Sequence, residues 1–243
     1  MDLRPEDEAR LRQVAEENKR KAEAAKKKDR TKLMGDAIKA QRKRGFKGDT
    51  KVRWVLPNAD EVLARGLAYA IGPNAKWLPE YDAIAEWLGD NQGKGLMCIG
   101  DCGRGKTVIT RDILPVLFQN YINIRFDDGS VGHPVYNYFL AKEMKTRWPE
   151  IERSKIVCID DIGTEAIAKV FGETHNLFAE LVDLCNDRDR LLICSTNLTQ
   201  EQLFGGTDDQ GINYPQRYDQ RTFSRLVGNT VRVYFEGEDL RIK

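Results

Sequence analysis

The stretch Gly100-Asp101-Cys102-Gly103-Arg104-Gly105-Lys106-Thr107 fits the pattern G-x-x-x-x-G-K-S/T of a phosphate-binding loop. It follows an apolar run that is typical of a buried strand and precedes a stretch with helical spacing, which is the context that the pattern requires. Glycines let backbone N–H groups turn towards phosphate oxygens, and the N-terminus of the following helix adds a positive field. We expect this loop to bind ATP, with Lys106 on the β- and γ-phosphates and Thr107 as a ligand of Mg²⁺.

Two acidic residues follow a second apolar run. Residues 156–159 read Ile-Val-Cys-Ile, and Asp160 and Asp161 come directly after them. Packing does not explain two adjacent carboxylates at this place, because burying a charge is costly. Hydrolysis of a nucleoside triphosphate needs an acid for the metal and a base for the attacking water. We predict that Asp160 holds Mg²⁺ through its bound water and that Asp161 polarises the nucleophile.

A third apolar run, residues 191–194, leads to Ser195, Thr196 and Asn197. Asn197 could lie between the metal site and the γ-phosphate and orient the lytic water. Asparagine also ends many strands in a turn, so this position is informative only together with the two preceding motifs.

The pattern of the chain changes at residue 95. From there, short continuous apolar runs alternate with helical stretches, and such runs suit parallel strands that are covered on both faces. Residues 231–235 alternate between apolar and polar and indicate a final strand at the edge of the sheet. Residues 124–126 and 135–136 are predicted to flank a hairpin turn at residues 127–129. We predict a three-layer α/β fold with a mostly parallel five-stranded sheet, preceded by two helices over residues 54–90.

The charge is divided between two parts of the chain. Residues 1–53 hold 18 Lys+Arg and 10 Asp+Glu, a net charge of +8, and residues 54–243 hold 21 and 28, a net charge of −7. Residues 6–34 contain no Gly or Pro and few apolar residues, which predicts a charged helix rather than a core. We interpret residues 1–53 as a partner-docking helical arm and residues 54–243 as the core with its leading helices. A solvated helix with no specific role is the alternative.

Several classes of protein are disfavoured by composition. No apolar run approaches the roughly 18 residues of a membrane span, and the N-terminus does not resemble a secretory signal. Five cysteines without a Cys-x-x-Cys pair indicate reduced thiols. We therefore expect a soluble cytoplasmic protein.

The order of these motifs resembles that of AAA+ ATPases. The phosphate loop, Asp160-Asp161, Asn197 and then residues 221–226 correspond to Walker A, Walker B, sensor 1 and the arginine finger. Five stretches make the resemblance more specific, namely residues 93–96, 161–165, 195–199, 224–226 and 235–241. Together they are similar to the bacterial replicative-helicase loaders of the DnaC/DnaI type and to the related IstB transposition helpers. The resemblance covers about residues 80–243 and leaves out the basic arm.

This resemblance implies a function and several residue roles. The chain would load a hexameric replicative DNA helicase onto single-stranded DNA, would self-associate when ATP is bound, and would hydrolyse ATP slowly. Arg225 is assigned as the arginine finger, with Arg221, one helical turn earlier, as the alternative. The loaders lack the helical lid of most AAA+ proteins, and only eight residues follow Phe235 here. The family more often has Asp-Glu where this chain has Asp160-Asp161, which bears on the rate of hydrolysis.

The resemblance also implies a contact with single-stranded DNA over residues 139–148. Lys142, Lys145 and Arg147 could follow a phosphate backbone, and Trp148 could stack on a base. A solvated helix with a buried Trp148 is the competing interpretation. Two other functions stay open: an IstB-like transposition helper, and a nucleotide-binding switch or adaptor with little hydrolysis.

Overall fold

A computed structural model describes Glu16, Arg20 and residues 52–72, 75–126, 128–165, 168–170, 173–187, 190–237 and 239–240. Glu16 and Arg20 are helical, as predicted for that segment. The other residues of the predicted arm, up to Lys51, lie outside the described residues, and its role stays a prediction.

The helices and strands follow one another in the alternating order that the sequence predicts. The helices are α1 Ala59–Ile71, α2 Glu80–Gly89, α3 Leu114–Asn120, α4 Met144–Ile151, α5 Leu177–Asp187, α6 Gln200–Phe204 and α7 Gln220–Asn229. The strands are β1 Gly95–Gly100, β2 Ile124–Arg125, β3 Val131–Gly132, β4 Tyr136–Leu140, β5 Ile156–Asp160, β6 Ala168–Val170, β7 Glu173–His175, β8 Leu191–Thr196, β9 Gly206–Thr207, β10 Asn213–Tyr214 and β11 Thr230–Phe235. A π-helical segment, Val108–Ile113, precedes α3, and a 3₁₀ turn, Ala141–Glu143, precedes α4. No helix among the described residues is long and apolar enough to cross a membrane.

Five strands form the central sheet in the order β11-β1-β8-β5-β4. Every neighbouring pair in this sheet is parallel, so the sheet is parallel throughout rather than mostly. The alternating strand β11 lies at an edge, as its pattern predicts. The carboxyl ends of β1, β8 and β5 therefore lie side by side, and this edge of a parallel sheet is where ligands bind in open α/β folds.

The sheet is covered by apolar side chains on both faces. Leu96 and Cys98 of β1 belong to the cluster that includes α1, α2 and α3. Met97, the residue between them, belongs to the cluster that includes α4, α5 and α7. Successive side chains of a strand point to opposite faces, so the two clusters are the two sides of one sheet. The predicted three-layer α/β fold is confirmed.

The leading segment is anchored in the first of these clusters. Val52 and Trp54 are both buried there, so the core includes a residue that the sequence places in the arm. The Trp54 indole N–H donates to the carbonyl oxygen of Leu88 at 3.0 Å, and its ring meets that of Trp87 edge to face. These contacts tie the first described residues of the core to α2.

The hairpin after α3 differs from the prediction. Ile124 of β2 pairs with Gly132 of β3, whereas Tyr136 joins the central sheet opposite Ile156. The second hairpin strand is therefore residues 131–132 and not 135–136. Pro134 lies between the two places, and because proline has no N–H to donate, it separates the short hairpin from the central strand.

Candidate nucleotide-binding site

The phosphate-binding loop connects β1 to a helical turn that begins at Lys106. Gly100 and Gly105 have φ angles of 133° and 92°, which side chains rarely allow. A Cβ on Gly100 would collide with the carbonyl oxygen of Phe235, the last residue of β11. The first glycine of the motif is therefore required by the neighbouring strand as well as by the turn.

Lys106 lies inside the loop rather than in solvent. Its side chain is buried, and Nζ donates to the carbonyl oxygens of Gly100 at 2.8 Å and Asp101 at 2.7 Å. Burial lowers the pKa of the Lys106 ammonium. Neutral carbonyl oxygens are thus the acceptors of this ammonium, whereas the sequence pattern predicts phosphate oxygens as its partners.

Thr107 and Asp160, the two predicted metal-site residues, are in contact. The Thr107 hydroxyl donates to Asp160 Oδ2 at 3.0 Å. The Asp160 side chain ends β5 and is buried. Thr107 and Asp160 lie far apart in the sequence, and the structure brings them together at the carboxyl edge of the sheet.

Thr107 and Asp160 fit a Mg²⁺ site that is completed by water and phosphate, rather than a metal site made of protein ligands alone. No group of three or more His, Cys, Asp or Glu side chains among the described residues could hold a metal ion. Mg²⁺ is usually bound by one or two carboxylates together with water and substrate phosphates. The Thr107 hydroxyl and the Asp160 carboxylate, next to a phosphate-binding loop, fit that description.

Asp161 has an unusual backbone conformation. Its φ angle is 58°, in the left-handed region, which among non-glycine residues favours Asp and Asn. The Asn197 amide donates to Asp161 Oδ1 at 3.2 Å, which joins the predicted base to the predicted sensor. Burial, followed by the charge of Asp160, raises the pKa of the Asp161 carboxyl. A glutamate at this position would give a longer side chain but would be less favourable in this conformation.

A buried ion pair next to the loop was not predicted. Arg104 NH2 lies 2.9 Å from Glu80 Oε1 at the start of α2, and the two side chains are only 10% and 4% exposed. The pair joins Arg104, which stands at one of the x positions of the loop motif, to α2. Nothing in the local sequence of either residue indicates this partner, because the contact depends on how α2 packs.

We expect Glu80→Ala to lower the free energy of unfolding by about 3 kcal/mol, because it breaks a buried ion pair by removing one of its two charges. Urea denaturation measures this loss. The control is Glu61→Ala, which removes an exposed partner of Arg65 at 3.8 Å and should cost less than about 1 kcal/mol. Equal losses in the two variants would contradict a structural role for the buried pair.

The segment after β11 contacts the loop. The Leu240 N–H donates to the carbonyl oxygen of Gly103 at 3.2 Å. The Asp239 carboxylate occupies the space that a Cβ on Gly103 would take. The loop is thus held by β1, by α2 and by residues 239–240.

The two arginine-finger candidates lie on α7 and share an acidic partner. Arg225 forms an ion pair with Asp183 of α5 and lies 3.8 Å from Asp187. Arg221 lies 3.4 Å from the other Asp183 oxygen. The Arg225 side chain is 21% exposed and the Arg221 side chain 63%. Both arginines are therefore paired within the chain, and the choice between them stays a prediction.

The predicted DNA-contacting residues divide into two groups. Lys142, Lys145 and Arg147 are exposed, although Arg147 also bonds Glu150 at 2.7 Å. Trp148 is partly buried against the second apolar cluster. The basic residues are accessible to a phosphate backbone, whereas the packing of Trp148 favours the interpretation of this residue as part of the core.

Comparisons with known proteins found similarity only among solved structures: no family model and no curated protein matches the chain. The crystal structure of the DnaC helicase loader is 13% identical with a TM-score of 0.39, over 75% of this chain and 93% of that one. Domain III of the Thermotoga maritima replication initiation protein DnaA is 16% identical with a TM-score of 0.44, over 76% of this chain and 70% of that one. Both similarities are weak, and neither assigns a role to a residue of this chain.

Proposed function

We propose that this protein is an AAA+ ATPase that controls, through its nucleotide state, the loading of a ring-shaped replicative DNA helicase onto single-stranded DNA. One observation supports the ATPase part above all others. Lys106, Thr107, Asp160, Asp161 and Asn197 come from three separate motifs and meet at the carboxyl ends of adjacent parallel strands.

The loop and its lysine bind the triphosphate. Lys106 Nζ exchanges its two carbonyl partners for phosphate oxygens, which are stronger, charged acceptors. Thr107 and Asp160 would hold Mg²⁺. When bound, Mg²⁺ offsets the negative charge that develops on the phosphate oxygens.

Asp161 and Asn197 act on the attacking water. The water oxygen forms a bond to the γ-phosphorus while the bond to the β–γ bridging oxygen breaks, which gives ADP and phosphate. Asp161 accepts the proton of the water, and Asn197, already hydrogen-bonded to Asp161, orients it. The raised pKa of Asp161 makes its carboxylate a stronger base than an ordinary aspartate.

An arginine of α7 acts on the nucleotide of a neighbouring subunit. A guanidinium stabilises the charge that is spread over phosphate oxygens in the transition state. Arg225, the proposed finger, must leave Asp183 to do this, so ATP-driven assembly and release of the ion pair are coupled.

We expect Arg225→Ala to bind ATP as a monomer but to fail in assembly and hydrolysis. Because a finger acts across subunits, mixtures of Arg225→Ala with Lys106→Ala should recover activity, since each variant supplies the group that the other lacks. Steady-state phosphate release over a range of mixing ratios measures the recovery. Arg221→Ala, tested in the same way, identifies which arginine is the finger, and no recovery with either variant would contradict a finger on α7.

The loading function is tested through the basic arm. We expect deletion of residues 1–53 to abolish co-purification with a replicative helicase while ATP binding is retained, because the arm carries the net charge of +8 and the predicted nucleotide-site residues all lie outside it. Since Val52 is buried in the core, deletion of residues 1–50 is the matched truncation that keeps the core intact. Co-purification measured with both truncations separates loss of docking from loss of packing.

Three outcomes would contradict parts of this proposal. If the truncated protein still loads helicase and loses only salt-sensitive DNA affinity, the arm is a nucleic-acid tether. Selective capture of a transposase by the full chain would favour the IstB-like helper. ATP binding without turnover under all conditions would favour the switch or adaptor.

A further inference from the structure

The Asp160 carboxylate is surrounded by hydroxyl groups. Oδ2 accepts from Thr107 at 3.0 Å and from Tyr138 at 2.7 Å. Oδ1 accepts from Ser195 and, more weakly, from Thr110 at 3.4 Å. Within the part of the chain that the structure describes, no basic side chain forms an ion pair with Asp160.

Thr107 and Tyr138 together fill Oδ2. An ionised carboxylate offers about four acceptor positions, two on each oxygen. Asp160 is 1% exposed, so its acceptors have no access to bulk water. A water molecule carried by Mg²⁺ can donate to Oδ2, the oxygen beside Thr107, only if Thr107 or Tyr138 gives up its place.

Ser195 and Thr110 are each held by a second interaction, and Thr107 can stay in place when a metal binds. Ser195 is fully buried, and its hydroxyl also accepts from the Asp161 N–H at 3.1 Å. The Thr110 hydroxyl is fully buried and shares its single proton between Asp160 Oδ1 and the Lys106 carbonyl oxygen, which lies 3.1 Å away. Thr107 can keep its bond, because a hydroxyl donates its proton to a carboxylate while its lone pair faces a metal.

Tyr138 is the donor that can leave. It is only partly buried, and it lies on β4, the edge strand of the sheet. Its hydroxyl makes a single described hydrogen bond, to Asp160 Oδ2. Rotation of this side chain would free one acceptor position on Oδ2, and Tyr138 belongs to neither the loop nor β8.

We propose that the Tyr138 hydroxyl occupies the acceptor position on Asp160 Oδ2 that a Mg²⁺-bound water takes when the nucleotide binds. Tyr138 is then a positioning residue: it keeps the buried carboxylate satisfied in the nucleotide-free protein, and its displacement reduces the gain in affinity that Mg²⁺ gives to ATP. This inference depends on the proposed ATP and Mg²⁺ site.

The test compares Tyr138→Phe with Tyr136→Phe. Tyr136 lies two residues earlier on the same strand, and its hydroxyl donates to the carbonyl oxygen of Thr110 at 2.6 Å rather than to Asp160. Each variant therefore loses one tyrosine hydroxyl from the same face of β4. The dissociation constant of ATP is measured by calorimetry in EDTA and in saturating Mg²⁺. The readout is the ratio of the value in EDTA to the value in Mg²⁺, which is the gain in affinity that Mg²⁺ gives.

We expect Tyr138→Phe to bind ATP in EDTA like the parent and to show a ratio about five-fold larger, since Mg²⁺ no longer competes with one hydrogen bond. Tyr136→Phe should keep the parent ratio. A smaller ratio in Tyr138→Phe would mean that the hydroxyl supports the metal site, and an unchanged ratio would mean that it stays in place; either result overturns the proposal.

Failure of the proposed function gives a different result. If the parent does not bind ATP, or if Lys106→Ala binds it equally well, the nucleotide site itself is wrong. If ATP binding depends on Lys106 but the parent shows no effect of Mg²⁺, the nucleotide site stands and the inference about Tyr138 is overturned.

Discussion

Lys106→Ala is expected to weaken ATP binding at least about 100-fold, because it removes a cation that makes charge-assisted bonds to phosphate oxygens. The side chain is buried in the loop and bonds two carbonyl oxygens, so the loop itself fixes the position of this ammonium. Calorimetric titration with ATP and Mg²⁺ measures the loss. Retained nucleotide affinity would remove the central claim about this site.

Two controls separate binding from folding in that experiment. Lys106→Arg keeps the charge but changes the geometry of the donor, and we expect it to recover little affinity. Lys145→Ala removes an exposed lysine of α4 and should bind ATP like the parent. The cooperative thermal transition of each variant shows whether the core is intact.

The second large effect is on turnover. Asp161→Asn is expected to keep ATP affinity and to lower the rate of hydrolysis about 100-fold or more, because an amide cannot accept the proton of the attacking water. Asparagine tolerates the left-handed backbone conformation of residue 161, so the substitution changes the chemistry and preserves the local fold. Phosphate release at saturating ATP is the measurement.

Two further variants make this result specific. Asp112→Asn changes an exposed acid next to Arg111, and turnover should be unaffected. In Asp160→Asn we expect ATP binding to lose its dependence on Mg²⁺ and turnover to be lost as well. The loss of the Mg²⁺ dependence distinguishes the metal-binding residue from the base. If Asp161→Asn hydrolyses ATP at the parent rate, Asp161 is not the base.

Much of the fold could be predicted because its signals are local. Continuous apolar runs mark β1, β5 and β8, and each run leads into a polar motif that carries chemistry. Since parallel strands place their carboxyl ends together, the meeting of Thr107 with Asp160 follows from the same pattern. The sequence pattern misplaces the second strand of the hairpin, because β3 is only two residues long and has no periodicity to detect.

The parts that could not be predicted are contacts between distant segments. Glu80 and Arg104 find each other only after α2 packs beside the loop, and the contact of Asp239 with Gly103 depends on the course of the chain after β11. Tyr138 is a partial exception. Its place two residues after Tyr136 puts both rings on one face of a strand, and the register of that strand with β5 ends at Asp160.

The pairing of β1 with β11 has a consequence for biosynthesis. Gly100 pairs with Phe235, and the Asp101 N–H donates to the Phe235 carbonyl oxygen at 3.1 Å, so the start of the loop is completed by a strand that is translated long after it. Contacts between residues so distant in sequence form late, because loop-closure entropy must be overcome first. A ribosome-bound chain that lacks β11 therefore has no finished loop, and we expect ATP binding to begin only after β11 has been translated.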